Sequence, residues 1–163
     1  MNVVTCGEFN LNNLRALLAR FGLRIREIDP AQAIPGSFWG DSEAGLVGNE
    51  LLVRADTPVH SALHEACHYI CMDAGRRSAL HTNAGGDTNE ENGVCYLQIL
   101  LADHLPTLGR ARLWADMDAW GYSFRLGSAQ AWFEHDADDA REWLIGHDIL
   151  TATDELTWRN RQN

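Results

Sequence analysis

The chain has no basic stripe, no apolar run of membrane-spanning length, no internal repeat and no low-complexity linker. With 23 acidic against 13 basic residues it carries a net charge of −10 and a pI near 5.0. That balance disfavours an electrostatic grip on a phosphate backbone, so nucleic acid is not an expected partner. The missing apolar run argues against a helical membrane span. The opening MNVVTCGEFN has neither the basic start nor the apolar stretch of a signal peptide, and a cytoplasmic location is expected. Cysteines are few (Cys6, Cys67, Cys71 and Cys95) and form no secreted framework, so reduced thiols are the default. Cys67 and Cys71 share one predicted helix and are poorly placed to pair with each other.

What is there suits one domain. At 163 residues, with 45% hydrophobic and 22% charged residues, the chain is long enough to bury a sizeable core. The patterning predicts an α+β fold, mostly helical, with a small N-terminal sheet. Four segments are expected: an N-terminal helix and sheet (1–55), a helix pair (56–104), further helices (105–150) and a polar tail (151–163) that could fray. Leu11, Leu14, Leu17, Leu18 and Phe21 recur at helical spacing between a cap at Asn10 and a stop at Gly22. Residues 23–26 alternate like a strand, and 29–40 read as loop. Leu46-Val47 and Leu51-Leu52-Val53 flank Gly48-Asn49 as a hairpin.

The chemistry gathers in TPVHSALHEACHYICMD, residues 57–73. Thr57 is the expected N-cap, Pro58 the first helical residue, and Gly75 the C-terminal stop. Val59, Leu63, Ala66, Cys67 and Ile70 form one face of this helix; His60, His64, His68 and Cys71 form another. Four residues apart, His64 and His68 aim their imidazoles at one point, a pairing that suits Zn²⁺. Glu65 lies within reach of a metal-activated water without being a ligand, which fits a general base. His60 reads as solvated. Satisfied core histidines are the bland alternative.

A Gly- and Asn-rich stretch follows, expected to form a mobile loop, with His81 and Asp87 as alternative ligands. Residues 88–103 then read as a second helix striped by Val94, Leu97 and Leu101. Glu90 falls on that stripe, where a carboxylate is costly unless paired or metal-bound, so Glu90 is the expected third ligand. Glu91, about 100° away beside Gln98 and Ala102, is the runner-up. Gly93 is expected to let the two helices approach. Helices are further predicted over 109–120, 128–135 and 137–149, with Ser128 and Asp136 as caps. This half holds Trp114, Trp120, Trp132, Trp143 and Trp158, a candidate surface for a protein partner.

A strand, a helix with His64-Glu65-x-x-His68, and a second helix opening Glu90-x-x-Gly93 with Leu100-Leu101 resemble the gluzincin layout. More closely, they are similar to the ImmA/IrrE-like zinc metallopeptidases. The likeness covers roughly residues 45–101 and departs from the family at Gly93, where alanine is usual. It implies a minimal zincin-like core and peptide hydrolysis, with Glu65 as base and His64, His68 and Glu90 as zinc ligands. A peptide or protein is the implied substrate, pairing along the strand Leu51–Val53; Tyr69, Tyr122, His104 and His147 are candidate oxyanion stabilisers. The competing expectation is a non-proteolytic, metal-containing binding module.

Overall fold

The computed structural model describes residues 2–37, 42–81 and 83–163; the end of the expected 29–40 loop and Thr82 lie outside them. The fold is α+β, with seven α-helices and one small sheet among the described residues. Helix α1, Leu11–Ala19, starts where Asn10 accepts a hydrogen bond from the Asn12 amide, and the chain turns at Gly22 with φ of 78°. Strands β1 (Arg24–Glu27), β2 (Gly45–Val47) and β3 (Glu50–Val53) form a sheet in the order β1-β3-β2. The predicted hairpin is β2–β3, turned through Gly48. Alternation along it sends Leu46, Leu51 and Val53 into the main core, and Val47 and Leu52 to a smaller cluster with Ile28 and Ile34.

The sheet order removes one expectation. β3 is central, parallel to β1 and antiparallel to β2, so both its edges are already paired and it cannot take up a substrate strand. The outer side of β2 is also engaged: Leu46 N–H donates to the Gly36 carbonyl and Gly48 N–H to the Leu80 carbonyl.

Helix α2, Val59–Cys71, carries the histidine motif and lies against β2 and β3. Pro58, not Thr57, occupies its cap position. The Thr57 hydroxyl instead accepts the Arg54 amide and closes the turn from β3. The stop is also displaced: α2 ends at Cys71, and Gly75 falls inside a short helix α3, Ala74–Ser78, capped by Asp73. Helix α4, Thr88–Ala102, is buried around most of its circumference because it packs against α2, α5 (Gly109–Trp120) and α7 (Asp138–Gly146). Gly93 serves the α7 contact, not α2: a methyl there would come within 2.7 Å of the Trp143 ring.

Helix α6 is Ala129–His135, capped by the Ser128 hydroxyl. Asp136 does not cap α7; it pairs with Arg125. The tail is not frayed. Trp158 packs at a tilt against Phe21 under the Arg20 guanidinium, and Asn160 and Arg161 bond the carbonyls of Phe21 and Ile70. Trp114, Trp132 and Trp143 are likewise used inside the fold, against Phe133, Tyr96 and Gly93.

Candidate metal centre

One turn of α2 separates His64 from His68, and both imidazoles turn toward α4. Glu91 meets them there: its Oε1 lies 3.1 Å from His64 Nε2 and its Oε2 lies 3.2 Å from His68 Nε2. The two Nε2 atoms are themselves 3.2 Å apart. Donors bound tetrahedrally at roughly 2.0–2.1 Å sit roughly 3.3–3.4 Å from one another. These separations, with one carboxylate oxygen toward each imidazole, are close to those a metal ion requires, and His64, His68 and Glu91 form a group that can hold one. The same spacing suits a shared proton, so protons and metal compete for one set of lone pairs.

The tautomer of His64 follows from its neighbours. Gln98, two turns along α4 from Glu91, donates its amide Nε2 to the His60 carbonyl at 2.8 Å, which fixes the amide orientation. Its Oε1 then faces His64 Nδ1 at 3.0 Å and must accept from it. When the ring is neutral, its Nε2 lone pair therefore points at the group, as an outer partner of a metal-binding imidazole should arrange. His68 Nδ1 is buried with no hydrogen-bond partner among the described residues.

Electrostatics agree with the geometry. Burial opposes charge on His64, but its neighbours, above all the Glu91 carboxylate 3.1 Å from Nε2, outweigh it and hold the pKa well above the usual 6.5. Burial alone would raise Glu91; hydrogen bonds from His64 and His68 reverse this and hold it below its usual 4.5. Glu65 is buried beside the group, and that burial raises its carboxyl above 4.5, partly offset by His68 and His64.

Glu90, the expected third ligand, is not part of this group. It is as buried as its place on the apolar stripe implied, at 2% exposure, but its carboxylate turns away from the histidines. Arg76 grips it with two bonds of 2.8 Å and Arg161 with one of 2.9 Å. The rule that a buried carboxylate needs a partner holds; the partners are guanidinium groups. Asp87 is engaged as the α4 cap, accepting the Glu90 amide at 2.9 Å, and His81 sits in a bridge with Val47. Cys71, raised in pKa by burial, is also outside the group.

The group borders a cleft of about 490 Å³, whose walls include Glu43, Glu65, Cys95, Trp120, Tyr122 and Phe124. Glu43 spans its rim, accepting from Trp120 Nε1 at 2.7 Å and from the Ser61 hydroxyl. Of the four candidate oxyanion stabilisers only Tyr122 lines it. Its hydroxyl lies 3.1 Å from His60 Nδ1 and 3.4 Å from Gln98 Nε2. Tyr69 faces Arg77, His104 packs on Trp158, and His147 bonds the Trp143 carbonyl. His60 is not solvated: it is buried against Trp120 and Tyr122, and burial lowers its pKa to about 4, so it is neutral. Sequence reasoning did not assign roles to Gln98, Glu43 or Cys95. The position of Gln98 seven residues after Glu91 was a signal, since two polar groups on one line of a buried helix share a neighbour.

No family model, no curated protein and no solved structure matches this chain. The likeness to ImmA/IrrE-like peptidases rests on the motif residues, and with Glu91 in the ligand position the residue three further on is Val94.

Proposed function

We propose that this protein is a zinc-dependent peptidase in which His64, His68 and Glu91 hold the ion and Glu65 is the general base. The observation that carries the reading is the convergence of two imidazoles and a carboxylate, at metal-sized spacing, on a cleft that also holds a buried glutamate. Two nitrogens and one oxygen, with an open side, are the donor set of a catalytic rather than a structural zinc site. Bound there, zinc would acidify water and polarise a carbonyl.

Glu65 sits next to His64 and opens onto the cleft, where it accepts a proton from the attacking water and returns it to the leaving amine. Its raised pKa brings that exchange closer to neutrality. With His60 in the tautomer that carries its proton on Nδ1, both it and the Gln98 amide donate to the Tyr122 oxygen, and the Tyr122 proton is left to the cleft. There it can bond the oxygen that becomes negative as the carbonyl is attacked. Trp120 and Phe124 supply apolar walls for a peptide.

The test compares wild type with Glu65→Gln on a mixture of short peptides, with and without a chelator. Cleavage by the zinc-loaded wild type, lost in the variant although the variant still retains zinc, supports a peptidase. No cleavage by either, with zinc bound in both, favours a metal-containing module without proteolytic activity.

A further inference from the structure

Glu90 is buried one residue from a candidate ligand and is absent from the chemistry described above. Its surroundings extend well beyond α4. Arg161, in the last turn of chain, bonds Glu90 Oε1 and also donates from Nη1 to the Cys71 carbonyl and from its backbone N–H to the Ile70 carbonyl. Arg77 donates to the carbonyls of Tyr69, Met72 and Arg161. The carbonyls of residues 69–72, the C-terminal end of α2 beyond His68, are thus all held by two arginines, one of which also holds the first turn of α4. Arg76 completes the set from α3, and Gly86 makes room for it: a methyl there would fall 1.9 Å from Glu90 Oε2.

We infer that Glu90, Arg76 and Arg161 are positioning residues, an ion clamp that fixes the turn carrying Glu91 against the turn carrying His68, so that the C-terminal segment is a working part of the metal centre. A rotation of the first turn of α4 that displaced Glu91 would also pull Glu90 from its two guanidinium partners. The charges match the helix ends they serve, cations at the C-terminus of α2 and an anion at the N-terminus of α4. Buried ion clusters are a poor way to add stability compared with apolar packing, but they fix orientation. The inference rests on His64, His68 and Glu91 being metal ligands.

The experiment measures zinc affinity by competition with a chromophoric chelator, in tag-free wild type, Arg161→Gln, Glu90→Gln and the double variant. It is done at a temperature where circular dichroism shows each to be folded, and the Co²⁺ absorption band reports ligand geometry. Each single change is expected to weaken zinc binding by about 10–100-fold, the range for outer partners of a metal site. The double variant is expected to lose no more than the worse single, because the residues act as one unit. Folded single variants that bind zinc as the wild type does, with an unchanged Co²⁺ band, would overturn the clamp. So would a double loss equal to the product of the single losses. If a variant does not fold, hydrogen exchange on the wild type decides: linkage requires that zinc slow exchange in residues 157–163, and unchanged exchange there overturns it. A wild type that binds no zinc refutes the underlying metal reading instead, and that outcome is distinct because it appears before any variant is compared.

Discussion

Glu90 and Glu91 are consecutive residues that leave α4 toward different partners. One is closed between Arg76 and Arg161, and the other reaches His64 and His68 at 3.1 and 3.2 Å. Two adjacent carboxylates therefore have separable roles. Glu91→Gln removes the one anionic donor of the group and should weaken zinc by more than the about 100-fold upper range of an outer partner, and the metal-free protein should also lose thermal stability, most between about pH 4.5 and 6.5 where the carboxylate pairs with the imidazoles. Competition titration together with a melting curve checks both halves of the statement.

Replacing Glu65 by Gln keeps the shape of the cleft wall and removes the proton acceptor. Zinc content should stay at the wild-type level, and turnover should fall by about 10²–10⁴-fold, the usual contribution of a positioned base. Metal analysis beside a peptide-cleavage assay separates this outcome from a loss of metal.

Metal binding should release protons. The metal-free protein holds His64 charged above its usual 6.5 because the Glu91 carboxylate lies against it, and zinc needs the neutral ring. Titration calorimetry at pH 7 in buffers of different ionisation enthalpy should give a net release. The same shifts set the stability of the metal-free form. The raised His64 pKa contributes stability that is fully present below 6.5 and is lost as pH rises through the folded value; the depressed Glu91 pKa contributes stability present above 4.5 and lost as pH falls through its folded value. Metal-free protein should therefore be most helped by this pair between about pH 4.5 and 6.5, and saturating zinc should remove the loss on the alkaline side. Denaturation midpoints across pH, with and without zinc, test the sign.

Gly93 lies against the Trp143 ring, where an added methyl would come within 2.7 Å. Alanine is favoured over glycine in a helix by up to about 1 kcal/mol, but overpacking a filled site costs about 1–3 kcal/mol. Gly93→Ala should therefore be destabilising on balance, by up to about 2 kcal/mol in chemical denaturation, with zinc affinity retained, since this face of α4 looks to α7 and not to His64 and His68.

Local signals were legible in the sequence and long-range partners were not. Helix α5 matches its predicted span, and α1, the hairpin and α6 follow their caps and turns, because Asn10, Gly48, Gly121 and Ser128 act within a few residues. The imidazole pair was legible for the same reason: four residues of helix fix it. The third member of the group was not. The apolar stripe pointed to Glu90, but α4 is packed by three helices, so its stripe does not single out the side facing α2. The arginines that neutralise Glu90 lie 14 and 71 residues away, beyond any local pattern. The sheet order was hidden likewise, since the strand that closes the free edge of β3 comes from before the hairpin and pairs in parallel.

The most direct test of the central claim is X-ray absorption at the zinc edge on tag-free protein loaded with one equivalent of zinc. It should show two imidazole nitrogens and carboxylate oxygen at about 2.0–2.2 Å, with the imidazole signal reduced in His68→Ala. A spectrum with sulfur neighbours, an imidazole signal unchanged by that substitution, or a protein that retains no zinc would contradict it.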